Sequence, residues 1–124
     1  MKSYQEYQDE KESSKGEAEH IYAKVKAIFP NNYVSVTTSH LGGVSYFVSY
    51  ANVRADANQL DILNSVHNIR FVCHGVENNK FSWELMQKSW QLKELKFRKI
   101  SGNTFQDVTD KLISWIEKNK EVLA

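Results

Sequence analysis

A chain of 124 residues with 41% hydrophobic and 25% charged side chains has room for one compact core, and is neither disordered nor long enough for two ordinary domains. The formal net charge of +1 supplies no global field to draw in nucleic acid or an acidic membrane, so electrostatic recognition has to be local. A single cysteine, Cys73, excludes an intramolecular disulfide, and no run approaches the ~20 apolar residues of a membrane-spanning helix.

Residues 1–14 are polar and aperiodic, with Tyr4 and Tyr7 as the only apolar anchors, and predict a flexible acidic arm. They lack the apolar run of a signal peptide, which makes the cytoplasm the expected compartment. Ser14 and Glu17 have capping-box spacing and predict a helix start. Ala18, Ile21, Tyr22, Val25, Ile28 and Phe29 then recur at three and four residues as one apolar stripe, which Pro30 stops. From Tyr33 the period becomes two: Val34 and Val36 alternate with Ser35 and Thr37, and Val44, Tyr46 and Val48 with Ser45, Phe47 and Ser49.

Between these two runs stands the stretch SHLGGVS. A phosphate loop needs glycines leading from a strand into a helix, followed by a Lys-Ser or Lys-Thr pair. Gly42 and Gly43 lead from strand to strand and turn a hairpin. Asp56 and Gln59 suggest a cap for a short amphipathic helix through Leu60, Leu63 and Val66. Strands follow at Ile69–His74, Phe81–Met86 and Leu92–Ile100, the first two joined by a loop over 75–79. Thr104 and Asp107 open a last helix with Val108, Leu112, Trp115 and Ile116 on its buried side. The order α-β-β-α-β-β-β-α predicts a single α+β domain over 15–124, an antiparallel five-stranded sheet with its helices mainly on one face.

Chemistry is sparse. Cys73, His67 and His74 lie close together, but Cys73 and His74 are neighbours on a strand and point to opposite faces, and no C-x-x-C or H-x-x-x-H spacing completes a metal set. Cys73 shares its strand face with Ile69 and Phe71 and reads as a core residue. A Cys–His nucleophile would have to draw on a histidine that nothing local positions, so no catalytic residue, metal or cofactor is assigned.

Two surfaces remain. If the valines of the hairpin face inward, Phe47, Arg70, His74 and Glu84 share the open sheet face, a polar surface with one aromatic that suits a protein partner. The segment KSWQLKELKFRK supplies Lys88, Trp90, Lys93, Lys96, Arg98 and Lys99, a basic and aromatic set of the kind that grips single-stranded nucleic acid. A lysine-rich edge strand that deters aggregation would show the same pattern.

The segment AKVKAIFP, then VSVTTS, then GGVSYFVSY resembles one of the large-polyvalent-protein-associated domains of phages and conjugative plasmids. The likeness spans residues 18–50 and ends at Ala51-Asn52-Val53-Arg54, where that pattern has an Asp-Gly-Pro turn. The resemblance implies a mobile-element accessory protein that modulates a host system by direct contact, and it carries over no catalytic residues. The expectation is therefore a small non-enzymatic binding protein, with nucleic-acid binding through 88–99 as the alternative.

Overall fold

The computed structural model describes residues 3–41, 43–77 and 80–124, and of Val76 and Glu77 the backbone alone. Helix α1 (Tyr4–Ile28) leads into strands β1 (Asn32–Ser39) and β2 (Ser45–Arg54), the short helix α2 (Gln59–Leu63), strands β3 (Asn68–Glu77) and β4 (Lys80–Lys88), a 3₁₀ turn at Trp90–Leu92, strand β5 (Ile100–Gly102), and helices α3 (Phe105–Lys118) and α4 (Lys120–Leu123). The five strands form one antiparallel sheet in the order β1-β2-β3-β4-β5. The chain is an α+β protein, as the change of period from helical to alternating predicts.

Alternation decides which side chains go inside. Val34, Val48, Tyr50, Ile69, Phe71, Cys73 and Trp83 project to one face and form a core with Ile21, Val25 and Phe29 of α1 and Val108, Leu112 and Ile116 of α3. Both long helices therefore cover the same side of the sheet. The largest core side chain, Trp83, is fully buried, and its indole N–H donates to Thr109 Oγ1 at 3.2 Å. Thr104 caps α3 by accepting from the Asp107 backbone N–H at 3.1 Å, as its spacing predicts.

The N-terminal arm is a correction. Helix α1 begins at Tyr4, capped by Ser3, whose Oγ accepts from the Glu6 N–H, and it runs without a break through Ser14. Local i,i+4 pairs support its first turns: Gln5 with Asp9 at 2.9 Å, and the Lys11 ammonium over the Tyr7 ring at 4.7 Å. Ser14 is buried rather than a cap. Its hydroxyl donates to the Lys11 carbonyl at 3.0 Å and lies 2.8 Å from His40 Nε2, so the imidazole is the donor of that second bond. This bond fastens α1 to the end of the β1–β2 hairpin. Within that turn, Gly43 has φ +123°, a backbone angle that glycine alone adopts cheaply, while Gly42 lies outside the described residues.

Two further expectations fail. Residues 92–99 are no strand. Successive i to i+3 hydrogen bonds, from Leu92 to Ser89, Lys93 to Trp90 and Leu95 to Leu92, wind the chain after β4 into turns. Their period of three, with Leu92 and Leu95 both buried, outweighs the alternation of Leu95 and Phe97, and only Ile100–Gly102 pairs with β4. The region read as a loop over 75–79 is largely strand, since β3 continues to Glu77 and pairs with Lys80, while Asn78 and Asn79 lie outside the described residues.

Two buried hydroxyls make opposite predictions. Thr109→Val strips the Trp83 indole of its acceptor and should cost about 1–3 kcal/mol in urea unfolding. The Tyr50 hydroxyl is buried with no hydrogen-bond partner among the described residues, so Tyr50→Phe, which keeps the ring packed on Phe29 with centroids 4.1 Å apart, should leave stability unchanged or raise it by up to ~2 kcal/mol.

Candidate functional site

The face of the sheet opposite the long helices is built from the other half of the alternation. Its register places Ser35, Ser49, Arg70 and Gln87 in one row across β1–β4, and Thr37, Phe47, Val72 and Glu84 in the next. His74 follows on the same face of β3 beside Ser45, whose Oγ lies 3.2 Å from His74 Nδ1. The four residues assigned to this face from sequence, Phe47, Arg70, His74 and Glu84, are thus brought together on it. Phe47 is not the bare aromatic that sequence suggests. The Arg70 guanidinium lies over its ring, 5.0 Å from the centroid. Glu84 is drawn to the sheet edge by Lys99, at 3.4 Å. Lys96 and Arg98, which a strand would have placed on this face, lie in the irregular segment before β5.

Helix α2 stands against one end of this face. Asn58, and not Asp56, caps it by accepting from the Asp61 N–H at 2.9 Å, and Asp56 pairs with Arg54 in an exposed ion pair. Gln59, Ile62 and Leu63 of α2 and Tyr33, Ser35, Thr37, Ser49, Asn68, Arg70 and Gln87 of the sheet enclose a cleft of about 180 Å³. No acidic side chain lines it. The Arg70 Nε is buried without a hydrogen-bond partner, and Arg70 makes no ion pair among the described residues.

The expected amphipathic packing of α2 is reversed. Leu60, Leu63 and Val66 are exposed at 66%, 63% and 52%, and Trp90, on the 3₁₀ turn, at 76%. Hydrogen bonds tie the start of the turn to the segment between α2 and β3: Ser89 Oγ donates to the Val66 carbonyl at 2.9 Å and accepts from the Asn68 N–H at 3.1 Å, and the Ser89 N–H donates to the Asn68 carbonyl. An apolar rim thus borders the cleft, with Leu63 common to both. Spacing predicts an amphipathic helix that runs past Val66 to near Asn68, but α2 stops at Leu63, and the apolar side chains turn outward.

The basic set divides by role. Lys88 donates to the Leu95 carbonyl at 2.8 Å and Lys99 pairs with Glu84, so both support the fold. Lys93, Lys96 and Arg98 are exposed on the segment that follows Trp90.

A larger cavity of about 560 Å³ lies at the hairpin end, lined by Tyr46, Phe81, Phe105, Glu10 and the backbone around Cys73 and His74. Burial, with Glu17, Cys73 and Glu10 nearby, pushes the Tyr46 phenol up to about 12. Burial likewise pushes the Cys73 thiol up to about 11, against a weaker opposing hydrogen bond from the Ser82 backbone. His67 is tied by Nδ1 to the Leu123 carbonyl at 3.2 Å. Among the described residues no three His, Cys, Asp or Glu side chains converge on a metal position, and no helix is long and apolar enough to cross a membrane. No protein-family model, curated protein or solved structure matches this chain.

The Cys73 thiol predicts its own inertness. At pH 8 only ~0.1% of a thiol of this pKa is ionised, so a disulfide reagent should label Cys73 only after denaturant is added. Because the folded value lies above the ordinary 9.0, the associated stability is whole below pH 9 and is lost as pH rises through 11; urea midpoints should fall across that window, and less steeply in Cys73→Ala.

Proposed function

We propose that this chain is a small non-enzymatic binding protein that docks an acidic protein partner on the rim formed by α2 and the Trp90 turn. The observation that carries this reading is the exposure of four large apolar side chains, Leu60 and Leu63 on α2, Val66 just after it and Trp90 on the turn, each more than half exposed, with Ser89 tying the turn to the Val66 carbonyl. Exposed apolar clusters of this kind, with an aromatic anchor and a charged surround, are typical of protein contact sites. The segment beyond Trp90 is basic on balance, with Lys93, Lys96 and Arg98 exposed beside one acid, Glu94, and it complements acidic chains. The likeness of residues 18–50 to mobile-element domains is in keeping with an accessory role, in which such a protein modulates a host system by contact.

A photo-crosslinking amino acid at Leu63 or Trp90 should give one discrete adduct in cells expressing the chain, and none from Glu117 on α3. The partner so identified should present an acidic surface, and its purified form should bind Trp90→Ala about 10- to 30-fold more weakly than the parent. Adducts that form equally from Glu117, or an affinity indifferent to Trp90→Ala, would refute this reading.

The exposed Trp90 indole beside Lys93, Lys96 and Arg98 also favours a second reading, single-stranded nucleic-acid binding. It ranks lower because Lys88 and Lys99 are engaged within the fold, by the Leu95 carbonyl and Glu84. On this reading, polarisation titrations with labelled DNA and RNA should show binding that falls steeply between 50 and 200 mM salt, by roughly tenfold or more. Charge reversal at Lys96 and Arg98 should weaken it further, and affinity that ignores salt excludes it.

A further inference from the structure

The cleft between α2 and the open sheet face has the chemistry of a binding site for a single carboxylate, and we infer that Arg70 receives there an acidic side chain of the protein partner. This deepens the binding role proposed above and rests on it.

The cleft carries one formal charge. Among the described residues Arg70 is the one cation that lines it, the remaining lining is hydroxyl, amide and apolar, and no lining carboxylate neutralises the guanidinium. A cross-strand acid would stabilise such an arginine. Here its direct cross-strand neighbours are Ser49 on one side and Gln87 on the other, and Glu84, in the adjacent row, is engaged by Lys99. The Phe47 ring beneath the guanidinium holds its plane in place without consuming a hydrogen-bond donor. The Nε is left without an acceptor among the described residues. A fixed, unneutralised, planar set of donors is matched by a planar anion that accepts two parallel bonds.

Size and charge choose the anion. About 180 Å³ admits the end of an aspartate or glutamate side chain, and one guanidinium balances one carboxylate. A phosphate dianion would call for a second cation, and no lysine lines the cleft. Continuity chooses its bearer. Leu63 is both a wall of the cleft and part of the exposed apolar rim, so a chain docked on the rim lies beside Arg70.

The test observes the arginine directly. In ¹⁵N-labelled protein the Arg70 Nε–Hε resonance is assigned by its disappearance in Arg70→Lys. The protein is then titrated at constant ionic strength with a blocked tetraglutamate peptide, and in a parallel arm with inorganic phosphate. The expected result is a saturable shift of that resonance and of the Ser49 and Gln87 amides with the peptide, with backbone shifts at least tenfold weaker in affinity in Arg70→Lys, and a smaller response to phosphate. Phe47→Leu should weaken binding while leaving the remaining amide spectrum in place. No saturable shift at Arg70, a phosphate response equal to that of the peptide, or peptide shifts undiminished in Arg70→Lys would each overturn the assignment. A partner that depends on Trp90 but ignores Arg70→Lys would remove the carboxylate cleft and leave the binding role intact.

Discussion

Strict alternation along β3 is the constraint on which the rest of the molecule depends. This strand pairs with β2 on one side and β4 on the other, so its two faces lie at the middle of the sheet. Ile69, Phe71 and Cys73 are all but inaccessible and contribute to the core beneath α1 and α3, while Arg70 and His74 alternate with them toward the opposite face. A slip of one residue would carry Arg70 and His74 into the core, a penalty of several kcal/mol that fixes the register. The bulge in β4 opposite Arg70 and Phe71 preserves this arrangement: Arg70 faces Gln87, Phe71 faces Leu85, and the extra residue, Met86, is left exposed. The placement of Arg70 over Phe47 is therefore a product of core packing on the other face.

What the sequence revealed followed from periodicity, and what it concealed followed from context. The hairpin, the strands around Cys73 and Trp83, and the face shared by Phe47, Arg70, His74 and Glu84 were all legible, because a period of two assigns faces without knowledge of the partners. The last helix was legible through Thr104, Asp107 and its apolar stripe. Ser14 misled because capping-box spacing recurs inside helices; its real partner, His40, lies across the fold and leaves no local signal. Leu95 and Phe97 suggested a strand, and both do turn inward, but the Phe97 ring packs at 5.0 Å from Phe71 and 5.1 Å from Trp115 from an irregular backbone. Alternation in a short run reports which way side chains point more faithfully than it reports pairing.

The cleft was invisible to pattern reading for a related reason. It exists because a five-residue helix happens to stand at one end of a hydroxyl-lined sheet, and nothing in QLDIL states which surface that helix meets. The orphan Arg70 Nε and the outward leucines are departures from ordinary packing, and they occur within one neighbourhood. A buried unpaired donor costs folding free energy, and exposed aliphatics forgo the gain that burial would bring. Their coincidence beside one cleft concentrates that cost where a ligand would relieve it.

The strand order has a kinetic side. Since each strand pairs only with its neighbour in sequence, the sheet closes through local connections, tight at β1–β2 and β3–β4 and longer where α2 and the Trp90 turn intervene, so that its loop-closure penalties stay small. The packing of α1 against α3 is the exception, for it joins the two ends of the chain. That association spans nearly the whole polypeptide, and the bond from His67 to the Leu123 carbonyl and the packing of Trp115 on Phe71 add further long-range ties from the C-terminal helices to the sheet, so the slow component of contact order lies in docking those helices.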